Sequence, residues 1–410
     1  MSRNLRAVIL QQIAHNSDSL ARLGRIRKGG DRMAPVFIWP LAQSPGYSYP
    51  GYYAISNYVD QDPAAGDNAT LDYNCGSRTY DGHKGTDIRI SPFPWNKMAN
   101  EEVRIIAAAS GTIVSKWDGN FDQNCEWADG LNWNGIAIEH SDGSKTFYGH
   151  MKNGTVTSKD IGDDVSAGEY LGLVGSSGYS TGPHLHFEVY DDQGDLVDPF
   201  DGACNSLNNS SWWQSQLPYY DSGINRLITG SAQWENFDCP NPSDIHSKLI
   251  FCPGEQIVFS AHYRHDLTDN TIHVRVYEPD GDQSPILNTS YSREGAYHFT
   301  TASALWTRNL PQDAEAGMWT FEAEYETTTY GTLNYTTNFW VGLPCQPNYN
   351  FAGTHGSGCT YYLASNQITS SADVPVGTEI WYDASNRVIL QPGFSSPPGS
   401  VLHVKAEGCN

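Results

Sequence analysis

Short runs of alternating apolar and polar residues dominate the chain after its first 34 positions. Successive side chains of a strand point to opposite faces, so a period of two is typical of a half-buried strand. The runs GIAIEH, KTFYGHM and HLHFEVY follow this pattern between residues 135 and 190. Turn-forming clusters such as SDGS and SSGYSTG separate them. The pattern therefore predicts a mainly β protein.

Changes in this pattern divide the 410 residues into several units, as a chain of this length requires. The first unit lacks turn signals and is basic, which predicts a helical or disordered leader, or the remnant of a pro-segment. The fourth has strands at sandwich-like intervals, and the last has very short strands with weak internal repetition. The predicted units are a leader (1–33), a first β domain (34–204), a linker (205–228), an Ig-like β-sandwich (229–343) and a small stacked-strand β module (344–410).

Charge and cysteine content narrow the function classes. A formal net charge of −22 argues against a nucleic-acid partner, because phosphate binding needs a basic surface. The eight cysteines are widely spaced and include no C-x-x-C pair, which favours disulfides and an exported protein. We predict the pairs Cys75–Cys125 and Cys239–Cys252.

No run of about 18 apolar residues occurs, so we expect no transmembrane segment. Residues 1–33 contain only a short apolar patch and no signal-peptide core. We expect a secreted, cell-surface or periplasmic protein whose signal peptide is not visible in this chain. If the leader were inhibitory, His15 or Asp18 could cap a metal ion.

Candidate chemistry is concentrated in the first β domain. His184 and His186 stand two apart on a predicted strand and therefore share a face. His83 and Asp87 lie in DGHKGTDI, where two glycines let the backbone curl and bring these side chains together. His150 lies on another predicted strand. A catalytic zinc ion needs three protein ligands and one open position, but the residues alone leave open which of the paired histidines binds metal.

These motifs occur in an order that resembles a known family. H-x-x-x-D, then Y-x-H, then G-P-H-L-H-F-E is similar to the lysostaphin/LytM-type zinc endopeptidases, over roughly residues 35–202. The resemblance implies an antiparallel β-sheet domain of the duplicated hybrid motif type with one Zn²⁺ per chain. It implies that the metal ligands are His83, Asp87 and His186, and that His150 and His184 are catalytic histidines that do not bind metal.

The resemblance further implies a secreted metalloendopeptidase that uses zinc-activated water with histidine assistance. Its expected substrates are peptidoglycan stem peptides or glycine-rich cross-bridges. One alternative is cleavage of glycine-rich or elastin-like extracellular proteins. A second alternative is a non-catalytic scaffold that activates cell-wall enzymes.

Two further segments bear on this interpretation. Residues 115–134 form a long aromatic segment containing Cys125, which either walls the substrate groove or is a stiffened surface loop. The last unit resembles C-terminal modules of secreted Bacteroidetes-type proteins, with its V-x-x-G and L-x-P-G-F patterns. This second resemblance implies export and leaves the role of the module open.

Overall fold

The computed structural model describes residues 3–26, 34–62, 69–127, 132–279, 285–293, 298–343, 345–406 and 408. Within these residues it contains two helices and 24 strands. The predicted mainly β fold is therefore confirmed. The domain boundaries drawn from the sequence remain predictions.

A large antiparallel sheet organises the first β domain, with strand order β2-β3-β10-β7-β6-β5-β8 and β11 beside β10. A smaller sheet, β1-β4-β9, packs with it. The elements are β1 (Leu41–Gln43), β2 (Tyr53–Asn57), β3 (Thr86–Ile90), α2 (Pro94–Ala99), β4 (Val103–Ile106), β5 (Gly111–Trp117), β6 (Gly135–Glu139), β7 (Lys145–Gly149), β8 (Asp164–Val165), β9 (Tyr170–Leu173), β10 (His184–Tyr190) and β11 (Leu196–Val197).

Strand β10 shows how alternation separates the core from the polar face. Leu185, Phe187 and Val189 are fully buried in the main core. His184, His186 and Glu188 alternate with them and so lie on the opposite face of the sheet. The polar side chains of the motif are therefore displayed by a strand whose other face is fixed by the core.

Helix α1 (Arg3–Arg22) covers part of the sheet face that carries His184, His186 and Glu188. Its residues Ile9, Ile13 and Leu20 recur at helical spacing and are buried in a separate apolar cluster. Their partners on the sheet include Phe147, which pairs with Glu188 and so lies on the face that carries the histidines.

The two side chains considered as metal caps lie on the exposed part of the N-terminal helix. His15 and Asp18 are exposed on α1, and the helix reaches the histidine face through Arg6 instead. Helix α1, which lies within the predicted leader, is thus packed against the sheet.

Two sheets share the core of the region that follows, as expected for a sandwich. Their orders are β12-β14-β17 and β13-β19-β18-β15-β16. The strands are β12 (Gly223–Gly230), β13 (Ile250–Phe251), β14 (Gln256–Asp266), β15 (Thr271–Tyr277), β16 (Leu287–Ser292), β17 (Phe299–Asn309), β18 (Gly317–Thr327) and β19 (Gly331–Val341). Strand β12 begins inside the predicted linker, and Trp213 of the same segment packs in the core of the first domain.

The last region is a sheet of parallel strands, consistent with the predicted stacked-strand module. Its order is β20-β21-β22-β24, and β23 also pairs with β21. The strands are β20 (Gln346–Phe351), β21 (Cys359–Ser370), β22 (Glu379–Ala384), β23 (Arg387–Leu390) and β24 (Val401–Lys405). Tyr361, Leu363 and Trp381 extend the sandwich core into this sheet.

Both predicted disulfide pairs are wrong. The structure joins Cys75 to Cys204, Cys125 to Cys239 and Cys252 to Cys359, across separations of 129, 114 and 107 residues. The prediction favoured cysteines close in sequence, whereas the sheets bring distant cysteines together. One consequence is that Cys125 ties the aromatic segment 115–134 to the region that contains the sandwich.

Packing of α1 on the sheet gives a direct stability prediction. Ile13→Ala should destabilise the protein by about 2–5 kcal/mol, because the lost side chain is 2% exposed and leaves a cavity. Val8→Ala on the same helix should change stability by no more than about 0.5 kcal/mol, since Val8 is 60% exposed. Urea unfolding followed by tryptophan fluorescence measures both. Equal midpoints for the two variants would contradict the packing of α1.

Candidate metal centre

The pairing of β3 with β10 assembles the centre. Asp87 lies directly opposite His186 in this antiparallel ladder, and Gly149 at the end of β7 lies opposite His186 on the other side. His150 therefore follows β7 at the same level of the sheet. His83 enters from the turn that precedes β3. All five residues singled out in the sequence thus meet at one end of the polar sheet face.

Three of them bring potential ligand atoms together. His83 Nε2 lies 3.2 Å from Asp87 Oδ1 and 3.3 Å from His186 Nδ1, while His186 Nδ1 lies 2.7 Å from Asp87 Oδ1. One ligand atom from each residue lies within 4.8 Å of the others, and all three residues are buried. Ligands at about 2.0–2.1 Å from a tetrahedral zinc ion are about 3.4 Å apart. Two imidazoles and a carboxylate at these separations therefore fit zinc.

Contacts outside this trio fix which atoms are free to bind. His83 Nδ1 donates to the carbonyl of Tyr58 (2.6 Å), which leaves Nε2 for a metal. Asn57 Nδ2 donates to Asp87 Oδ2 (3.0 Å), which leaves Oδ1 facing the histidines. Such outer contacts orient metal ligands and select their tautomers.

Glu188 performs the corresponding role for His186. Its Oε1 lies 2.6 Å from His186 Nε2, so this nitrogen is occupied and Nδ1 points to Asp87. Arg6 of α1 in turn donates from Nη1 to Glu188 Oε2 (2.8 Å) and to the hydroxyl of Tyr190 (2.5 Å). The basic N-terminal helix thereby supports the buried carboxylate behind His186.

The pKa values of the buried side chains follow from these contacts. Burial raises the pKa of Glu188. The charges and hydrogen bonds of Arg6 and His186 lower this pKa by a larger amount, so the net pKa is well below the usual value. Burial lowers the pKa of His186, whereas hydrogen bonds to Asp87 and Glu188 raise it to a net value of about 9. Burial also raises the pKa of Asp87. Interactions with His83 and His184 lower this pKa by a larger amount, so the net pKa is well below the usual value. Both carboxylates are therefore ionised.

The two remaining histidines present their Nε2 atoms beside the trio. His150 Nδ1 donates to the carbonyl of Ser177 (2.6 Å), and His184 Nδ1 donates to the carbonyl of Gly182 (2.8 Å). Since a carbonyl only accepts, Nδ1 carries the proton in each ring. Nε2 of His184 lies 3.5 Å from Asp87 Oδ1. The ring centroids are 4.5 Å apart.

The protonation state and the backbone conformation of His150 are both unusual. Burial, followed by the charges of His184 and His186, brings its pKa well below the usual value, so the ring is neutral. Its φ of 62° lies in the left-handed region, which non-glycine residues adopt at a cost. His150 adopts this conformation directly after the end of β7, where the chain bends.

The centre borders a pocket lined by polar and aromatic side chains. Its polar lining includes Asn57, Asp87, His150 and His184, and its aromatic lining includes Tyr80, Trp127 and Tyr179. Tyr80 stacks on His83 with a centroid distance of 4.2 Å, and Trp127 stacks on Tyr179 at 6.0 Å. Trp127 belongs to the segment 115–134, whose residues 128–131 lie outside the described part of the chain. This segment therefore contributes to the pocket wall.

Sequence reasoning missed several supporting residues. Glu188 was detectable, because it stands two positions after His186 and shares its face. Asn57 and Arg6 had no such signal, since β2 and α1 reach the centre only through tertiary packing. Among the described residues, the His83, Asp87 and His186 group is the one cluster of metal-competent side chains close enough to share an ion.

Comparisons with known proteins agree with this arrangement. Residues 81–199 match the model of peptidase family M23. An uncharacterized metalloprotease of Buchnera aphidicola is 47% identical over 57 residues, 14% of this chain and 14% of that protein. The DD-carboxypeptidase/endopeptidase Mpg of Neisseria meningitidis is 46% identical over 56 residues, 14% of this chain and 12% of that protein.

A third relative is the glycyl-glycine endopeptidase ALE-1 of Staphylococcus capitis, which is 40% identical over 63 residues, 15% of this chain and 17% of that protein. The chain thus spans between 12 and 17% of the length of these relatives. The match includes the H-x-x-x-D, Y-x-H and H-x-H segments, so the lysostaphin-type resemblance is confirmed. Residues 81–199 are thus similar to the peptidases of family M23.

Proposed function

We propose that this chain is a zinc metalloendopeptidase that hydrolyses peptide bonds in peptidoglycan. In this proposal His83, Asp87 and His186 bind one zinc ion, while His150 and His184 act on the substrate and water. The convergence of three ligand atoms within 4.8 Å of one another, beside a pocket that Asp87 lines, carries the proposal.

Each side chain has a role that follows from its contacts. A bound zinc ion would supply Lewis-acid polarisation of the scissile carbonyl and raise the acidity of water. His150 is neutral, and its free Nε2 accepts a proton from water and passes it to the departing amine. His184 is the more exposed of the two rings, and its side chain is placed to stabilise the negative charge that develops on the carbonyl oxygen.

The aromatic lining of the pocket suits an extended peptide. Tyr80, Trp127 and Tyr179 offer flat apolar surface in the same pocket as His150 and His184, so a peptide backbone can bind against them with its carbonyl near the centre. The named activities of the Neisseria and Staphylococcus relatives support peptide bonds of peptidoglycan or glycine-rich cross-bridges as the substrate class.

We also propose that the chain acts outside the cytoplasm. Three disulfides among the described residues support this location, since such bonds persist in oxidising compartments. Among those same residues, neither helix is both long and apolar enough to cross a bilayer.

Metal loading tests the ligand assignment. His186→Ala should lose bound zinc and peptide hydrolysis together, because it removes one of three donors. Metal analysis of the purified protein, in parallel with hydrolysis of peptidoglycan, pentaglycine and an elastin-type substrate, measures both. His15→Ala is the matched control, since that histidine is exposed on α1, and it should retain one zinc ion per chain.

The same experiment separates the alternatives. Preference for the elastin-type substrate would favour an extracellular protein as the target. A wild-type chain that binds zinc but hydrolyses none of the three substrates would contradict the enzymatic proposal and favour a scaffold.

His150 can be tested apart from metal binding. His150→Asn should retain zinc and lower kcat by about 100- to 10,000-fold, because a proton acceptor is lost while asparagine tolerates the left-handed backbone. His246→Asn is the control, since His246 also has a positive φ of 49° and does not line the pocket. Similar kcat values for the His150 variant and wild type would remove His150 from the mechanism.

Glu188 is proposed as a positioning residue for His186. Glu188→Gln should weaken zinc affinity by about 10- to 100-fold, because the buried carboxylate that orients the imidazole becomes neutral. Competition with a chromogenic chelator measures this change without an activity assay. Glu315→Gln, on an exposed residue far along the chain, should have no effect; an equal loss in both variants would refute the positioning role.

A further inference from the structure

Arg89 is a cation that the proposed mechanism does not use. It stands two residues after Asp87 on β3 and pairs with His184 on β10. Alternation places it on the sheet face of Asp87 and His184. Directly paired residues of an antiparallel ladder have Cβ atoms about 4.5–5.5 Å apart. The guanidinium therefore belongs to the same surface as the catalytic centre, and Arg89 lines its pocket.

In the part of the chain that the structure describes, no group neutralises this cation. Among those residues, the structure records neither a hydrogen bond nor an ion pair for the Arg89 side chain, which is only partly exposed. A charge that is partly removed from water is costly unless it is paired. None of its nitrogens is among the fully enclosed polar atoms without a partner, so the guanidinium remains open to the solvent of the pocket.

Other charges around the pocket do not serve as its partner. Asp87 is the one carboxylate among the described lining residues. Its Oδ2 accepts from Asn57, and its Oδ1 faces His83 and His186. In a chain with a net charge of −22, an unpaired arginine beside the centre is therefore a local exception that a ligand can complete.

We propose that Arg89 binds a carboxylate of the peptide substrate next to the scissile bond. Its planar fork suits two parallel hydrogen bonds to a carboxylate. The site therefore selects acidic peptides, such as stem peptides with free carboxylates, over neutral glycine chains. Both a terminal carboxylate and a side-chain carboxylate have the required chemistry.

This inference rests on the proposed function for the substrate class but can be tested without turnover. The probe is a stem-type peptide prepared with both carboxylates free, with only the terminal one amidated, with only the internal one amidated, and with both amidated. Calorimetric titration into the full chain, with a chelator present, measures binding apart from hydrolysis.

The wild type should bind the free form about 10- to 100-fold more tightly than the fully amidated form, as expected for a charge-assisted contact. Arg89→Gln should abolish this difference, and Arg89→Lys should retain part of it. The singly amidated form that loses affinity identifies the recognised carboxylate. Lys84→Gln removes an exposed cation of the same segment and should preserve the preference.

Hydrolysis provides a second readout with zinc present. Arg89→Gln should raise KM for the acidic peptide by a larger factor than KM for pentaglycine, while zinc content stays at one ion per chain. Equal wild-type affinity for the free and amidated peptides, no measurable binding of either, or an undiminished preference in Arg89→Gln would overturn the proposal. If binding follows the expected pattern while hydrolysis is absent, the enzymatic function fails and the carboxylate site stands.

Discussion

The antiparallel register between β3 and β10 is the constraint on which the centre depends. It sets Asp87 against His186 and Arg89 against His184 in consecutive same-face pairs. A slip of one residue would turn every side chain of a strand to the other face. The register is held from behind, because Ile88, Leu185 and Phe187 are fully buried in the main core. Hydrophobic packing on one face thus fixes polar chemistry on the other.

Buried charge in the centre is supported from three separate elements. Strand β2 supplies Asn57 to Asp87, and the backbone after it supplies the carbonyl of Tyr58 to His83. Helix α1 supplies Arg6 to Glu188. Each contact satisfies an atom that would otherwise be costly to bury. The same contacts leave one free ligand atom on each residue of the trio, so preorganisation and polar satisfaction come from the same bonds.

The sequence predicted the parts of this centre that local periodicity controls. Alternation placed His184 and His186 on one face, and the glycines around His83 predicted its approach to Asp87. The assignment of particular histidines as metal ligands came only from the family resemblance. Contacts between distant elements left no periodic signal: Arg6 is separated from Glu188 by 182 residues, and the three disulfides among the described residues join cysteines more than 100 residues apart.

The disulfide between Cys125 and Cys239 has a consequence for modularity. It connects the segment that carries Trp127 to the chain beyond the predicted linker. A fragment cut at the predicted boundaries, 34–204, would therefore carry an unpaired thiol beside its pocket, and it would also lack Arg6. An intact catalytic cassette that could be exchanged between proteins is therefore larger than the segment that contains the motifs. It extends beyond that segment at both ends.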